Sequence, residues 1–210
     1  MMIHPASHMT LTTYSRTDGH SAVRAAAYRA RDSYYDIRRG RRYSYRSVPG
    51  LLSNEIIGWN GSVEKLWNAA ETSEVRKNSR VARELRPALP AELPLPEQIK
   101  LVRGMCLWLR DKYGVASQAA IHAPTFHDKS IERRFWALSS DASVSHAQLR
   151  LLADPDFTNK NFHAHILFTT RRVDPDTGLF GEKRHFRRRI DKICRDMNFI
   201  HKWSSVDVLI

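Results

Sequence analysis

Residues 159–172 read NKNFHAHILFTTRR, and polar and apolar side chains alternate through the middle of this stretch. A period of two predicts a β-strand with one buried face, because successive side chains of a strand point to opposite sides. The apolar side, which we expect to face the core, consists of Phe162, Ala164, Ile166 and Phe168. His163 and His165 share the other side, which is either exposed to solvent or part of a binding site.

Two imidazoles at neighbouring positions of one strand face are able to bind a divalent metal ion together, usually with a third ligand. His122 ends the preceding predicted strand, ASQAAIHA, and meets the histidine pair if the two strands are neighbours. The alternative is coincidence, because the chain has ten histidines. His127 and His185 are expected to be surface residues or nucleic-acid contacts.

Composition narrows the class of partner. The chain has 210 residues, a formal net charge of +12 and a pI of about 10.1, which favours an anionic partner such as nucleic acid or an acidic membrane surface. No apolar stretch is long enough to span a bilayer, and the N-terminus lacks the apolar region of a signal peptide. Two cysteines without a CxxC motif argue against a disulfide scaffold or a thiolate zinc site, and fit a reducing cytoplasm.

Strand and helix patterns interleave along the chain, which predicts an α+β domain. The expected strands cover residues 9–16, 80–90, 116–123 and 161–171. The expected helices cover residues 21–39, 62–79, 94–114 and, less extensively, 146–153 and a basic segment at 183–195. Residues 47–61 are expected to be a loop with a short apolar piece, LLSNEII. Pro87 should confine its strand to a sheet edge or a bulge, because proline cannot donate a ladder hydrogen bond.

Tyr28 lies on the first predicted helix, opposite a stripe of alanine and valine. Its neighbours at helical spacing are Arg24, Arg31, Tyr35 and Arg39. A tyrosine among arginines on an exposed face is well placed to meet a phosphate, and cationic surroundings favour its use as a nucleophile. The alternative from the pattern alone is an aromatic ring that packs against arginine stems on a solvated face.

Four segments, taken in order, resemble the MobA/MobL family of plasmid mobilisation relaxases, which are HUH endonucleases. They are HSAVRAAAYRA, LWNAAETSEVRKNSRVARELRPALPAELP, AAIH and NFHAHILFTTR. The resemblance covers roughly residues 9–184, apart from residues 123–160, where the family usually has a short connection. It implies an α+β fold of the HUH relaxase type, with a central antiparallel sheet flanked by helices.

The resemblance also assigns site residues. It implies that Tyr28 is the catalytic nucleophile and that the metal ligands are His122, His163 and His165. It implies that Glu84 is the acidic residue of the site, which either orients a metal-ligating histidine or helps to take the tyrosine proton. Glu71 and Glu74 are acidic neighbours that rank below Glu84, because they follow the helical pattern.

The implied activity is site- and strand-specific nicking of a plasmid origin of transfer, with a 5′-phosphotyrosine link and a free 3′-OH. The implied cofactor is a divalent metal ion, Mn²⁺ or Mg²⁺. The implied partners are single-stranded origin DNA, accessory mobilisation proteins and a conjugative secretion system, in the bacterial cytoplasm and without membrane insertion.

Basic segments at residues 38–46 and 183–192 are expected to contact DNA phosphates, which give affinity but little sequence discrimination. The candidate DNA-binding residues are Arg24, Arg31, Arg38, Arg39, Arg41, Arg42, Lys183, Arg184, Arg187 and Arg188. The alternative is a solvated charged face. The aromatic residues available to stack on single-stranded bases are Tyr43, Tyr45, Phe186 and Trp203.

We therefore expect a relaxase domain at residues 1–184, with a long insertion at 123–160, and a basic tail at 185–210. The apolar ending SSVDVLI leads us to expect a chain that is cut off. Two other functions fit part of the pattern: an inactive relaxase fragment that only binds DNA, and an HUH replication initiator or transposase. The order of motifs, with the tyrosine first and HxH late, disfavours the second.

Overall fold

A computed structural model describes residues 9–139 and 144–183 of the protein. The strands are β1 (Met9–Ser15), β2 (Ser33–Asp36), β3 (Arg41–Ser44), β4 (Leu51–Ile57), β5 (Arg80–Pro87), β6 (Ser117–His122), β7 (His163–Thr169), β8 (Arg171–Val173) and β9 (Phe180–Lys183). The helices are α1 (Ala22–Ala30), α2 (Val63–Thr72), α3 (Leu95–Tyr113), α4 (Lys129–Leu138) and α5 (His146–Leu152). Among these described residues no helix combines the length and the apolar character needed to cross a bilayer.

The central sheet has five strands in the order β1-β5-β7-β6-β4, and every neighbouring pair is antiparallel. The histidine strand, β7, lies in the middle. Its alternation is confirmed: Ala164, Ile166 and Phe168 belong to a core that α3 covers. Leu167 faces the opposite side, where α1 and α2 pack. Helices flank both faces of the sheet, so the expected α+β architecture is also confirmed.

The first helix is shorter than its sequence pattern predicts. The pattern runs to Arg39, but α1 ends at Ala30 and Arg31 adopts a left-handed conformation with φ 51°. Residues 33–44 then form the β2–β3 hairpin, which turns through Gly40 with φ 62°. Tyr34 and Asp36 are both buried on one face of β2, whereas Tyr35 between them is exposed. A short segment whose pattern suits a helix as well as a strand adopts the conformation that buries its side chains.

Two further predictions about strands are wrong. The strand that contains Pro87 is not at an edge, because β5 lies between β1 and β7, and the irregularity in its pairing with β1 lies between Tyr14 and Ser15 rather than at Pro87. Pro87 is tolerated because it is the last residue of β5, beyond the register that β5 shares with β7. The expected loop at residues 47–61 contains the edge strand β4, which pairs with β6 from Leu51 to Ile57.

The other helices lie where the sequence predicts them, but their lengths differ from the predicted ones. The helix predicted at 94–114 is α3, which ends at Gly114 in a left-handed conformation. The helix predicted at 62–79 is α2, which stops at Thr72. Residues 123–160, which are expected to be an insertion, contain α4 in addition to the expected short helix, α5. The basic segment after Lys183 lies outside the described residues.

Candidate active site

Three histidines meet at the end of β6 and the beginning of β7. The strand register places His122 directly opposite His163, and His165 lies two residues along the same face. One ligand atom from each imidazole lies within 4.8 Å of the other two. The ring centroids are separated by 5.7 Å for His122 and His163 and by 4.6 Å for His122 and His165. This spacing and the three-nitrogen donor set fit a divalent metal ion.

Hydrogen bonds fix which nitrogen of each ring keeps its lone pair. His122 Nε2 donates to the backbone carbonyl of Arg29 at 2.8 Å, so its Nδ1 keeps the lone pair, which accepts a hydrogen bond from the Arg31 guanidinium at 3.4 Å. His165 Nδ1 lies 2.6 Å from the Glu84 carboxylate, and His163 Nδ1 lies 3.0 Å from the carbonyl oxygen of Asn161. The Nε2 atoms of these two rings therefore keep the lone pairs that are available to a metal ion. Such outer partners orient ligating imidazoles and increase their basicity.

Burial keeps the three imidazoles neutral, which is the form that binds metal. It lowers the pKa of His122 to about 3, because a buried imidazolium loses its hydration. Burial lowers the pKa of His163 and of His165 as well. Near pH 7 the cluster is thus available to a cation without first releasing protons.

Glu84 is the centre of a buried hydrogen-bond network on the same face. Arg29 makes a two-pronged contact with it, at 2.6 Å from Nε to Oε1 and 2.6 Å from Nη2 to Oε2. The Tyr14 hydroxyl donates to Oε2 at 2.9 Å and also contacts Arg29. Burial by itself raises the pKa of Glu84, but the hydrogen bonds from His165 and Arg29 outweigh it and hold that pKa well below its usual range. The carboxylate stays charged and orients His165.

Tyr28 projects from α1 into the cleft that contains the histidines. Its side chain is 40% exposed, and its ring centroid lies 6.4 Å from that of His122. The guanidinium of Arg31 lies 4.2 Å from the centre of the Tyr28 ring, and Tyr45 meets that ring edge-on at 5.3 Å. The phenol is therefore both accessible and held by its neighbours.

The position of α1 follows from its N-terminus. Ser21 caps the helix by accepting from the Arg24 amide at 3.0 Å, and its hydroxyl donates to buried Asp36 at 2.6 Å. The Glu71 carboxylate accepts from the Ala22 amide at 2.9 Å. Glu71 also pairs with Arg16 and Arg38, and Glu74 pairs with Arg171 and Lys183. These two acidic residues hold elements together away from the histidines.

The cleft has a volume of about 460 Å³ and joins residues from distant parts of the chain. Tyr28, the three histidines, Glu84 and Arg31 line it, as the sequence leads us to expect of a site. The aromatic and charged lining residues that the sequence did not predict are Tyr14, Arg29, Arg86, Glu132 and Trp136. The sequence signal for Arg29 is its position directly after Tyr28 in the segment AAAYR.

The candidate DNA-binding residues divide into two groups. Arg24, Arg41 and Arg42 are exposed on α1 and the β2–β3 hairpin, and Arg31 lines the cleft. By contrast, Arg38, Arg39 and Lys183 make ion pairs with Glu71, Asp36 and Glu74. Arg184, Arg187 and Arg188 lie outside the described residues, as do Phe186 and Trp203.

Comparison with known proteins gives a consistent set of relatives. The model of the MobA/MobL family matches residues 20–204. A "Mobilization protein MobL" of Acidithiobacillus ferridurans is 34% identical over 183 residues, covering 84% of this chain and 45% of that protein. A "Probable mobilization protein MobA" of Bifidobacterium longum is 25% identical over 177 residues, covering 81% of this chain and 26% of that protein. The chain thus spans less than half the length of these relatives.

Two more comparisons extend the set. A "Conjugal transfer protein TraA" of Rhizobium radiobacter is 33% identical over 113 residues, which are 46% of this chain and 10% of that protein. A solved structure titled "Molecular Basis of Vancomycin Resistance Transfer in Staphylococcus aureus" superposes with a TM-score of 0.65 at 21% identity. It covers 96% of this chain and 95% of the solved chain, so the two share a fold.

Proposed function

The chain belongs to the MobA/MobL family, and from this premise we propose that it nicks one DNA strand at a plasmid origin of transfer and so starts conjugative mobilisation. One observation carries the proposal: the accessible phenol of Tyr28 and the three-histidine cluster line the same cleft. Strand cleavage by a tyrosine needs a nucleophile and a metal ion that act on the same phosphate, and this cleft contains a candidate for each. We propose residues 1–184 as the relaxase domain and residues 185–210 as a basic tail.

In the proposed reaction the Tyr28 hydroxyl oxygen attacks the scissile phosphorus. The new bond joins Tyr28 to the 5′-phosphate, the bond from phosphorus to the 3′ oxygen breaks, and the phenolic proton ends on that oxygen as a free 3′-OH. The number of phosphoester bonds is unchanged, so the strand is able to rejoin by the reverse reaction. Arg31, stacked on the Tyr28 ring, lies where its charge stabilises the attacked phosphate.

We propose that His122, His163 and His165 hold a divalent metal ion, with Mn²⁺ and Mg²⁺ as the candidates. When bound, such an ion polarises a phosphate oxygen as a Lewis acid. Glu84 orients His165 and remains charged through its contacts with Arg29, which makes it a positioning residue in this proposal. Its hydrogen bonds point to His165, Arg29 and Tyr14 and favour this role over that of a base for Tyr28.

The proposed substrate is single-stranded origin DNA that follows the basic surface around the cleft. Arg24, Arg31, Arg41 and Arg42 are the described candidates for phosphate contacts, and the partners of the reaction are accessory mobilisation proteins and a conjugative secretion system in the bacterial cytoplasm. The other described candidates are weaker ones. The charges of Arg38, Arg39 and Lys183 are already paired with acidic side chains inside the protein. Tyr45, beside Tyr28, is a candidate for stacking on a base.

Tyr28→Phe tests the proposal, because it removes one hydroxyl from a partly exposed ring. Single-stranded oligonucleotides that tile the origin of transfer of a candidate plasmid are incubated with the protein and Mn²⁺. A covalent protein–DNA adduct on a denaturing gel is expected with the unmodified chain and not with Tyr28→Phe.

The matched control is Tyr35→Phe, because Tyr35 is 39% exposed on the β2–β3 hairpin and does not line the cleft. This control should form the adduct at the original rate. An adduct that persists in Tyr28→Phe would show that another residue is the nucleophile. Binding without any adduct, across origins and metal ions, would favour a fragment that only holds DNA.

A further inference from the structure

The insertion at residues 123–160 contributes to the cleft through one face of α4. Glu132 and Trp136 lie four residues apart, on the same side of that helix, and both line the cavity that contains Tyr28 and His122. The insertion is therefore part of the site.

The Trp136 side chain is held rather than free. Phe135 is buried, contacts Phe126 at a ring separation of 5.0 Å, and anchors α4 to the core. The rings of Phe135 and Trp136 meet edge-on at 4.8 Å. Gly50, which also lines the cleft, has a φ of 96° that favours glycine, and a Cβ at this position would lie 3.9 Å from the indole ring. A rigid indole in an open cleft is a stacking platform.

Positive charge in the cleft lies beside the histidines. Arg31 Nη2 lies 3.4 Å from His122 Nδ1, whereas Arg29 is buried and paired with Glu84. On α4 the Glu132 carboxylate is paired with Lys129 at 2.7 Å, so it adds little net charge to the cleft. A DNA phosphate is therefore attracted to Arg31, and a nucleobase attached to that phosphate has the Trp136 indole available to it in the same cleft.

We infer that α4 of the insertion forms a nucleobase subsite, in which Trp136 stacks on a base next to the scissile phosphate. This inference rests on the proposed function, because it takes single-stranded DNA as the ligand. The cleft volume of about 460 Å³ accommodates a nucleoside beside the phosphate site. The subsite positions the strand through stacking, while Arg31 holds the phosphate beside Tyr28 and His122.

Photochemical cross-linking tests the subsite without knowledge of the nick sequence. The probe is a mixed-sequence single-stranded 20-mer that carries 5-iododeoxyuridine in place of thymidine, and binding is measured by fluorescence anisotropy before irradiation. Tryptic digestion and mass spectrometry should find a cross-link on Trp136, in the peptide of residues 135–150. Trp136→Leu should lose that cross-link and bind the probe several-fold more weakly, and Trp136→Phe should retain most of the binding.

Trp108→Leu is the control, because Trp108 is partly buried on α3 and contacts Tyr113 rather than the cleft. Its binding and its Trp136 cross-link should match those of the unmodified chain. Binding with cross-links only at other residues would overturn the subsite and leave the proposed nicking intact. Absence of probe binding by the folded chain would overturn both. Because the cross-link is read in the unmodified chain, a poorly folded variant does not obscure the result.

Discussion

At the scale of single residues, Glu84 connects the stability of the fold to the histidine cluster. Its carboxylate accepts hydrogen bonds from Arg29, Tyr14 and His165 in a buried setting. Glu84→Gln leaves the buried Arg29 guanidinium without a compensating charge, which typically costs about 3–5 kcal/mol of unfolding free energy. It also replaces the charged partner of His165 with a neutral amide, which should weaken metal binding by about 10–100-fold. Urea denaturation and calorimetric titration with Mn²⁺ measure the two effects.

The control for this prediction is Glu55→Gln. Glu55 pairs with Arg103 at 3.0 Å, but both side chains are partly exposed, so its loss should cost less than about 1 kcal/mol. Metal affinity should not change, because Glu55 lies on the edge strand β4. Equal effects of the two substitutions would contradict the role assigned to Glu84.

The pH dependence of stability follows from His122. Its pKa is lowered to about 3 by burial, whereas the unfolded chain has an imidazole pKa near ~6.5. Between these values the unfolded state binds a proton that the folded state does not, so the free energy of unfolding falls as the pH decreases from about 6.5 towards 3. The measurement is urea denaturation across this range with a chelator present.

His122→Gln should flatten the acid side of that profile. His127→Gln, at an exposed histidine after β6, should leave it unchanged. A profile of identical slope in all three chains would show that His122 is protonated in the folded protein.

At the scale of elements, the N-terminus of α1 determines where Tyr28 points. Ser21 and Ser62 are both N-caps, but only the Ser21 hydroxyl also bonds a buried carboxylate, that of Asp36. Ser62→Ala should cost about 0.5–2 kcal/mol, as for an ordinary cap. Ser21→Ala should cost more, because Asp36 loses a hydrogen bond inside the protein. Urea denaturation of the two variants compares them, and equal costs would contradict the anchoring role of Asp36.

The elements also show how far sequence reasoning reaches. The two faces of β7 were predicted from its alternating pattern, which is a local property of the sequence. The meeting of the three histidines was predicted from the position of His122 at a strand end, and it needs only the pairing of β6 with β7. The end of α1 was mispredicted, because residues 31–39 contain apolar positions that suit a helix as well as a strand. Burial against α2 selects the strand, and that information is not local.

Residues that act through side-chain networks were the hardest to predict. Arg29 and Tyr14 are separated from Glu84 by 55 and 70 residues, and their meeting depends on the order β1-β5-β7 of the sheet. Trp136 and Glu132 reach the cleft only because Phe135 anchors α4. Such contacts depend on the packing of distant segments, so a single sequence gives no signal for them.

At the scale of the whole molecule, the net charge of +12 should make DNA binding strongly salt-dependent. Each phosphate contact releases counterions, so affinity for a single-stranded oligonucleotide should fall by orders of magnitude between ~50 and ~200 mM salt. The double substitution Arg41→Ala and Arg42→Ala should reduce the slope of log affinity against log salt by about 1.4, because both side chains are exposed and each phosphate contact of a single strand contributes about 0.7. Fluorescence anisotropy at several salt concentrations gives that slope, and an unchanged slope would show that the hairpin does not contact phosphates.

The central claim is that Tyr28 becomes covalently joined to DNA in the histidine cleft. The most direct measurement is mass spectrometry of the adduct after nuclease and trypsin digestion. Cleavage after Arg24 and Arg29 releases the peptide of residues 25–29, which contains a single tyrosine. We predict a nucleotide attached through phosphate to this peptide, in the presence of Mn²⁺ and not in the presence of a chelator. A nucleotide on the peptide of residues 32–38, which contains Tyr34 and Tyr35, would contradict it, as would a nicked strand with a free 5′-phosphate.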